Sequence, residues 1–391
     1  MDGRTLDVFY KGQSVGTLAE TSDRLVAFAY SDSWLRDGFS ISPISLPLRE
    51  GVFVPGAASR DGLHGLFGVF ADSLPDSWGE LLLLRSLKKQ GIHLDSLTTL
   101  TRLAYVGNAG MGALEYYPSK ASDYSARELD YDEIAKECEQ ILESKTTEQL
   151  DLLFRLGGSS GGTRPKILLS ECGRDWIVKF PARSDERSSG RREYDYSLCT
   201  KNAGILMTET QLIPSRYCDG YFKTERFDRQ EGQKVFTVTF AGILEQNMHA
   251  LSEYDTLFRV VNVLTREDRT AVEQLFRVMC FNAFAHNYDD HLKNFSMLYD
   301  DSRWKLAPAY DLTYSETYFM GHTSAVNGKR NGITAEDLSA VGERWGIKKK
   351  RCTELISEVK ENAPDLTGMG FGRVRIKPDA AGLGDRLREI K

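Results

Sequence analysis

The sequence predicts an α+β fold, with strands gathered in the first 250 or so residues and helices beyond them. Three observations carry this expectation. At 391 residues the chain exceeds the size at which a single hydrophobic core keeps growing, so two or three packed domains are expected. Short β-prone runs punctuated by turn residues dominate its first part. From about residue 252 onward, apolar residues recur at helical spacing instead.

The first domain is expected over residues 1–120 as a small α+β unit. "DVFYKGQSVGTL" sets a Lys11-Gly12 turn between two strands, and "RLVAFAY" and "GALEYY" add further strand-like segments. The helical exception is "LPDSWGELLLLRSLKKQ", opened by Pro75 and Asp76 and closed by Gly91 after a cationic last turn. The polar stretch "PSKASDYSARELD" then marks a boundary. In the second domain, residues 121–250, Asp130 with Glu133 reads as a capping pair for an amphipathic helix carrying Ile134, Cys138, Ile141 and Leu142. "LGGSSGGTRPKILLSECGRDWIVKFPA" follows as a glycine and serine loop, a strand, a tight turn and a second strand. Alternation puts Ile177 and Lys179 on one face of that strand and Trp176, Val178 and Phe180 on the other. "ERSSGRREYDYSLCTKNAG" reads as a helix carrying Glu193 and ending at Gly204. Strands resume around "ILMTETQLI" and "CDGYFKTERFDRQEGQKVFTVTF". The third domain, residues 251–391, is expected to be helical. In "EDRTAVEQLFRVMCFNAFAHN", Val272, Leu275, Phe276, Met279 and Ala283 share one stripe. The glycine- and proline-rich "APDLTGMGFGRVRIKPDAAGLG" reads as a mobile surface segment.

Composition narrows the function. With 41% hydrophobic and 27% charged residues, the chain has an ordinary globular composition. A net charge of -6 argues against nucleic-acid binding through the overall field of the protein. The six cysteines form no C-x-x-C pair and are expected to be reduced thiols of a cytoplasmic protein. The N-terminus lacks a basic start followed by an apolar core, and no apolar run approaches membrane-spanning length.

The chemistry concentrates in two places. Gly157, Gly158, Gly161, Gly162, Lys179 and Glu193 occur in the order in which a phosphate-covering loop, a strand lysine and a helix glutamate would be needed. Downstream, "HNYDDHLKNF" places Asp289 five residues before Asn294, the spacing of a proton-accepting Asp and a magnesium-binding Asn in a phosphoryl-transfer loop. Asp290 misses that spacing by one. After a hairpin-like reversal, "LAPAYDL" supplies Asp311 as a second oxygen ligand for a hard cation. Blander readings stand beside these: an Asp289–Lys293 surface pair, or Asp311 as a helix cap. A metal-hydrolase cluster of His286, Asp290 and His291 is a third reading, weakened by the lack of ligand-like spacing among the other histidines. Serine or cysteine nucleophile chemistry lacks its sequence context.

"GGSSGGTRPK", "WIVKFP", "ERFDR", "NYDDHLKNFSML" and "LAPAYDL", in this order, resemble the HipA-family serine/threonine kinase toxins of bacterial type II toxin-antitoxin modules. The resemblance implies a HipA-like kinase fold with a small N-terminal α+β subdomain, a strand-rich ATP-binding lobe and an all-helical C-terminal lobe. It implies Asp289 as catalytic base and Asn294 and Asp311 as magnesium ligands. Gly161, Gly162 and Lys166 would cover ATP, Lys179 would contact its phosphates, and Glu225 to Phe227 would form the hinge beside adenine. His291, Lys293 and Tyr310 would line the site. Ser159, with Ser160 beside it, matches the autophosphorylated loop serine; a phosphate there adds about two negative charges next to those of ATP. The implied partners are a small HipB-like DNA-binding antitoxin, through which DNA is contacted, and an aminoacyl-tRNA synthetase as protein substrate. A small-molecule phosphotransferase and a catalytically silent antitoxin-binding corepressor are the alternatives.

Overall fold

The computed structural model describes residues 5–93, 97–120, 129–145, 147, 149–157, 162–182, 185–317, 320–364 and 366. Gly158, Ser159, Ser160 and Gly161 of the glycine loop, and most of the expected C-terminal surface segment, lie outside the described residues. The chain divides into two compact units. One is built from Met1–Asp185, Thr224–Ala250 and Ser296–Trp304, the other from Glu186–Lys223, Leu251–Phe295 and Lys305–Lys391. Mixed helix and sheet is therefore the architecture, as the sequence predicts.

In the first unit, an antiparallel five-stranded sheet runs in the order Val52–Phe53, Val26–Tyr30, Gln13–Glu20, Thr5–Tyr10 and Leu114–Tyr117. Lys11 and Gly12 both have positive φ, 47° and 76°, as a two-residue hairpin with right-handed strand twist requires. The helix Ser77–Lys89 buries Trp78, Leu82, Leu83 and Leu87. Two more helices in this unit, Thr99–Val106 and Leu150–Gly157, are not apparent from the sequence. Thr99–Val106 is short and rich in β-branched residues. It forms because Thr98 caps it by accepting from Thr101 N and because Leu100, Leu103 and Val106 are buried, so packing overrides weak propensity.

The same unit contains the hairpin Lys166–Glu171 and Arg174–Lys179, turning at Cys172 (φ 52°) and Gly173 (φ 75°). Trp176 and Val178 are buried and Ile177 and Lys179 half-buried, which is the expected alternation. The strand Phe236–Thr239 pairs antiparallel with Ser296–Tyr299. The turn after Ser296–Tyr299 is tied back to the N-terminal hairpin, because Asp301 accepts from both the Tyr10 hydroxyl and, at 2.5 Å, Lys11 Nζ.

A buried charge cluster fixes the "ERFDR" segment. Arg226 grips Asp228 through Nε to Oδ1 (2.9 Å) and Nη2 to Oδ2 (2.8 Å), and Arg229 Nη1 reaches Oδ2 at 2.9 Å. Gly112 N also donates to Asp228 Oδ2, and the two arginines reach the carbonyls of Gly110 and Gly112. Arg226 N donates to Asp175 O, so one cluster joins the hairpin, this segment and the loop that enters Leu114–Tyr117.

The second unit is helical, built on Ser189–Asn202, Tyr254–Leu264, Arg269–Phe284, Ala335–Arg344 and Lys349–Asn362. Short strands accompany these helices, including the parallel pair Ser252–Glu253 and Ser324–Ala325. Arg269–Phe284 is the central helix, with Val272, Leu275, Phe276, Met279, Cys280 and Phe281 buried. Four of the six cysteines are buried and all are free thiols. Among the described residues no helix is long and apolar enough to cross a membrane.

The Asp228 cluster generates a stability prediction. Burial by itself pushes the Asp228 carboxyl up, but Arg226, Arg229 and the Gly112 N–H outweigh it and hold it at about 2. The folded value is depressed, so the stabilisation is full above the ordinary carboxylate value of about 4 and is lost as pH falls from there. Removing the carboxylate leaves Arg226 buried without its counter-charge, which costs about 3–5 kcal/mol. Thermal unfolding of Asp228→Asn is expected to show a large Tm loss at neutral pH, and the gap from the wild type narrows below about pH 4. A constant gap across that range would refute the assignment.

Candidate active site

The central helix Arg269–Phe284 delivers the chain into the predicted loop through Ala285 and then His286, whose φ of 54° turns the backbone sharply. Two adjacent carboxylates follow, and they enter opposite environments. The Asp289 side chain is 52% exposed, whereas Asp290 is buried.

Asp290 sits at the centre of a polar network. Its Oδ2 accepts from the Tyr254 hydroxyl at 3.1 Å and lies 2.9 Å from His322 Nδ1. Its Oδ1 accepts from Ser324 N at 3.0 Å, and its carbonyl accepts from Ser324 Oγ at 2.6 Å. The network continues inward, because Asn282 Nδ2 donates to the Tyr254 hydroxyl and Asn287 Nδ2 donates to Asn282 Oδ1, both at 2.9 Å. The backbone is held as well: Tyr288 N donates to Ser315 O, Ser315 N to His286 O and Thr323 N to Tyr288 O. With Asp290 anchored inside, the pleat of the chain turns its neighbour Asp289 outward.

Asn294, on the 3-10 turn Leu292–Asn294, donates its Nδ2 to the Asp289 carbonyl at 2.7 Å. That bond closes the loop and commits the amide nitrogen, leaving the amide carbonyl as the atom to meet a cation. His291 Nε2 lies 3.7 Å from Asp289 Oδ1. The Tyr310 hydroxyl donates to Lys293 O at 2.7 Å, which brings "AYDL" beside the end of the loop. Ala309 N donates to Leu206 O and Leu312 is buried, so Asp311 is held on both sides. Asp311 adopts φ 53°, a left-handed conformation that costs a non-glycine residue about 1–2 kcal/mol. No helix begins in residues 312–317 that follow it, which removes the helix-cap reading. The pair Asn294 and Asp311 thus supplies an amide and a carboxylate oxygen, a donor set that fits magnesium.

The hydrolase-like trio of His286, Asp290 and His291 is not brought together. The His286 ring stacks on Tyr314 (4.9 Å, 9°) and lies 4.0 Å from Tyr288, and burial pushes its pKa down. Asp290 is committed to Tyr254, His322 and Ser324 as described. Among the described residues no group of three His, Cys, Asp or Glu side chains converges to hold a metal.

In the first unit, Lys166 and Lys179 stand directly opposite each other across the hairpin, as do Leu168 and Ile177. The four share one face. Like charges directly opposed repel, so that face is suited to an anion flanked by apolar surface. Gly162 (φ 89°) lies against it, and a Cβ there would fall 2.5 Å from Lys166 Nζ. Such a cradle, with the Lys166 ammonium beside a side-chain-free backbone and Lys179 opposite it across the hairpin, fits the phosphates of a nucleotide. Glu225 and Phe227 are half-buried and alternate with the buried Arg226 and Asp228, and Arg174 Nη1 is 3.7 Å from Glu225 Oε2. Glu193 is buried in Ser189–Asn202 of the second unit.

A family model described as HipA-like C-terminal domain matches residues 158–367, more than half of the chain, and one described as HipA N-terminal domain matches residues 6–117. The chain belongs to the HipA family. It is similar to two Sinorhizobium fredii proteins named "Putative kinase Y4dM" and "Putative kinase Y4mE". The first is 25% identical over 409 residues, covering 98% of this chain and 95% of the relative. The second is 26% identical over 437 residues, covering 100% and 99%. Among solved structures, the Shewanella oneidensis MR-1 HipA, determined with HipB and operator DNA, superposes with a TM-score of 0.66 at 20% identity, over 98% of this chain and 95% of that one. The fold is therefore that of HipA.

Within this HipA-family chain, His322, Ser324, Tyr254, Asn282 and Asn287 are residues that sequence reasoning does not single out, and Asp290 enters it only as a member of the hydrolase-like trio, not as the anchor of the loop. Asp290 carries one usable signal, a second carboxylate immediately beside the candidate base. Nothing local connects it to His322 or Tyr254, which lie 32 and 36 residues away.

Asp290→Ala strands several buried polar groups, each costing about 1–3 kcal/mol, while the exposed Asp289→Ala is expected to change stability by less than about 0.5 kcal/mol. Thermal unfolding of the two variants checks this. Equal Tm values would show that Asp290 does not hold the loop.

Proposed function

We propose that the protein is an ATP-dependent serine/threonine protein kinase that acts as the toxin of a HipBA-type toxin-antitoxin module. The observation that supports the proposal is a pair of hydrogen bonds, Asn294 Nδ2 to the Asp289 carbonyl and the Tyr310 hydroxyl to Lys293 O, which bring the segment carrying Asp311 beside the loop carrying Asp289 and Asn294. In this reading the exposed Asp289 carboxylate orients the attacking hydroxyl and accepts its proton. Lys166 and Lys179 bind the phosphates, Gly161 and Gly162 give the backbone close approach to them, and Leu168 and Ile177 offer the base an apolar surface. Glu225 and Phe227 would form the hinge, and His291, Lys293 and Tyr310 would line the site. Asn294 and Asp311 would hold magnesium, which neutralises charge on the phosphates as the leaving group departs. The chain's own work is positioning and electrostatics rather than covalent chemistry.

The finer roles follow the resemblance. Ser159 or Ser160 would be autophosphorylated. A HipB-like antitoxin is the proposed partner, supported by the Shewanella oneidensis relative having been solved with HipB and operator DNA. DNA would be contacted mainly through that antitoxin, consistent with the net charge of -6 on this chain. The proposed substrate is an aminoacyl-tRNA synthetase, whose phosphorylation would arrest translation in the cytoplasm.

Incubation with labelled ATP and magnesium, followed by intact-mass and phosphosite mapping, tests the proposal. Phosphate is expected on protein and on a loop serine, and Asp289→Asn is expected to lower the rate by about 10²–10⁴ at unchanged Tm. Asp289→Asn labelling at the wild-type rate would sink the assignment.

A further inference from the structure

Asp76 occupies the N-cap position of the helix Ser77–Lys89, in extended backbone with φ -80° and ψ -169°, yet its side chain makes no cap bond to that helix. Its Oδ2 instead accepts from Gly162 N at 2.7 Å. An aspartate at an N-cap ordinarily satisfies the first turn of its own helix, so this carboxylate has been redirected to the glycine loop. Two residues on, Trp78 is 1% exposed and donates its Nε1 to Lys166 O at 3.1 Å. Trp78 N also points at Gly162 O, at 3.5 Å. On the near side of the loop, a Cβ at Gly157 would fall 2.5 Å from Lys166 O and 3.1 Å from Trp78 Nε1, so no larger residue fits there. Both stems of the glycine segment, Gly157 before it and Gly162 to Lys166 after it, therefore close on the same helical turn. The far end of the arrangement is held too, because Lys89 Nζ pairs with Asp151 Oδ2 at 2.7 Å, linking this helix to Leu150–Gly157.

That turn lies inside the stretch matched by the HipA N-terminal domain, residues 6–117, whereas the loop lies in the C-terminal match, residues 158–367. We propose that the first turn of Ser77–Lys89 is the anchor of the nucleotide loop and that Asp76 is a positioning residue for ATP binding, so that the N-terminal domain sets nucleotide affinity. The proposal rests on the kinase reading above and adds a residue to it from the other domain. The physical reason is direct. A charge-assisted bond from Asp76 fixes the Gly162 peptide, and Gly162 packs against Lys166 Nζ, so the carboxylate holds the backbone and the ammonium group in one arrangement before a nucleotide arrives.

The test measures the Kd of the full chain for magnesium-ATP, the kcat and KM of labelling, and amide hydrogen exchange at Gly162, for wild type, Asp76→Ala and Asp76→Asn. Asp76→Ala is expected to lose protection at Gly162 and to weaken Kd and KM by about tenfold or more, with kcat at saturating ATP within about twofold of wild type. Asn keeps an acceptor oxygen for Gly162 N, so Asp76→Asn is expected to stay within about threefold of wild type. A purely structural role for Asp76 would lower Tm and the active fraction while leaving KM unchanged, and that pattern overturns the proposal. So does an Asp76→Ala variant that binds magnesium-ATP as tightly as wild type. Wild-type protein that binds no ATP would instead refute the kinase reading; exchange would then decide the anchor alone, with protection lost in Asp76→Ala supporting it and protection retained overturning it.

Discussion

The loop that carries Asp289 and Asn294 depends on one asymmetry between neighbours. Asp289 and Asp290 are chemically identical and adjacent, yet one is half-exposed and the other buried. A buried carboxylate persists only where donors surround it, and Asp290 has the Tyr254 hydroxyl, the Ser324 backbone and the His322 ring. Those partners come from two separate stretches of the second unit, around Tyr254 and around His322 and Ser324, so loop conformation depends on more than the loop itself. The strain at Asp311 follows from the same logic. A left-handed aspartate is held by Tyr310 on one side and the buried Leu312 on the other, and surrounding structure must over-determine such a conformation for it to last.

A second constraint shapes the first unit. Opposing Lys166 and Lys179 across a strand pair is unfavourable by itself. The surrounding packing holds both strands regardless, with Ile167, Trp176 and Val178 buried. The Arg226–Asp228–Arg229 cluster locks one end of that region to the loop before Leu114–Tyr117, and the turn at Asp76 and Trp78 locks the other. Residues from the N-terminal domain thus hold the hairpin Lys166–Glu171 and Arg174–Lys179 at both ends. At this point residues of the N-terminal match and of the C-terminal match share one set of hydrogen bonds.

Much of this was legible in the chain. The Lys11-Gly12 hairpin, the helix after Pro75, the strand alternation around Lys179 and the Asp289 to Asn294 spacing all depend on residues within a few positions of one another, where turn chemistry and periodicity act directly. Thr99–Val106 was not legible, because its propensity is weak and its buried face supplies the stability. The same holds for Asp228, whose partner Gly112 lies 116 residues away.

The sequence by itself determined most of the element types, the order of the glycine loop and the Asp289–Asn294 loop, and the family. Those are local or order-dependent properties that backbone sterics and side-chain spacing write directly into the chain. Tertiary structure alone decided which of two adjacent aspartates faces outward, why Asp311 tolerates a left-handed backbone, and that Asp76 serves the glycine loop rather than its own helix. Each of these rests on burial and on partners brought close only by folding, and burial is what sets the worth of a hydrogen bond or a charge.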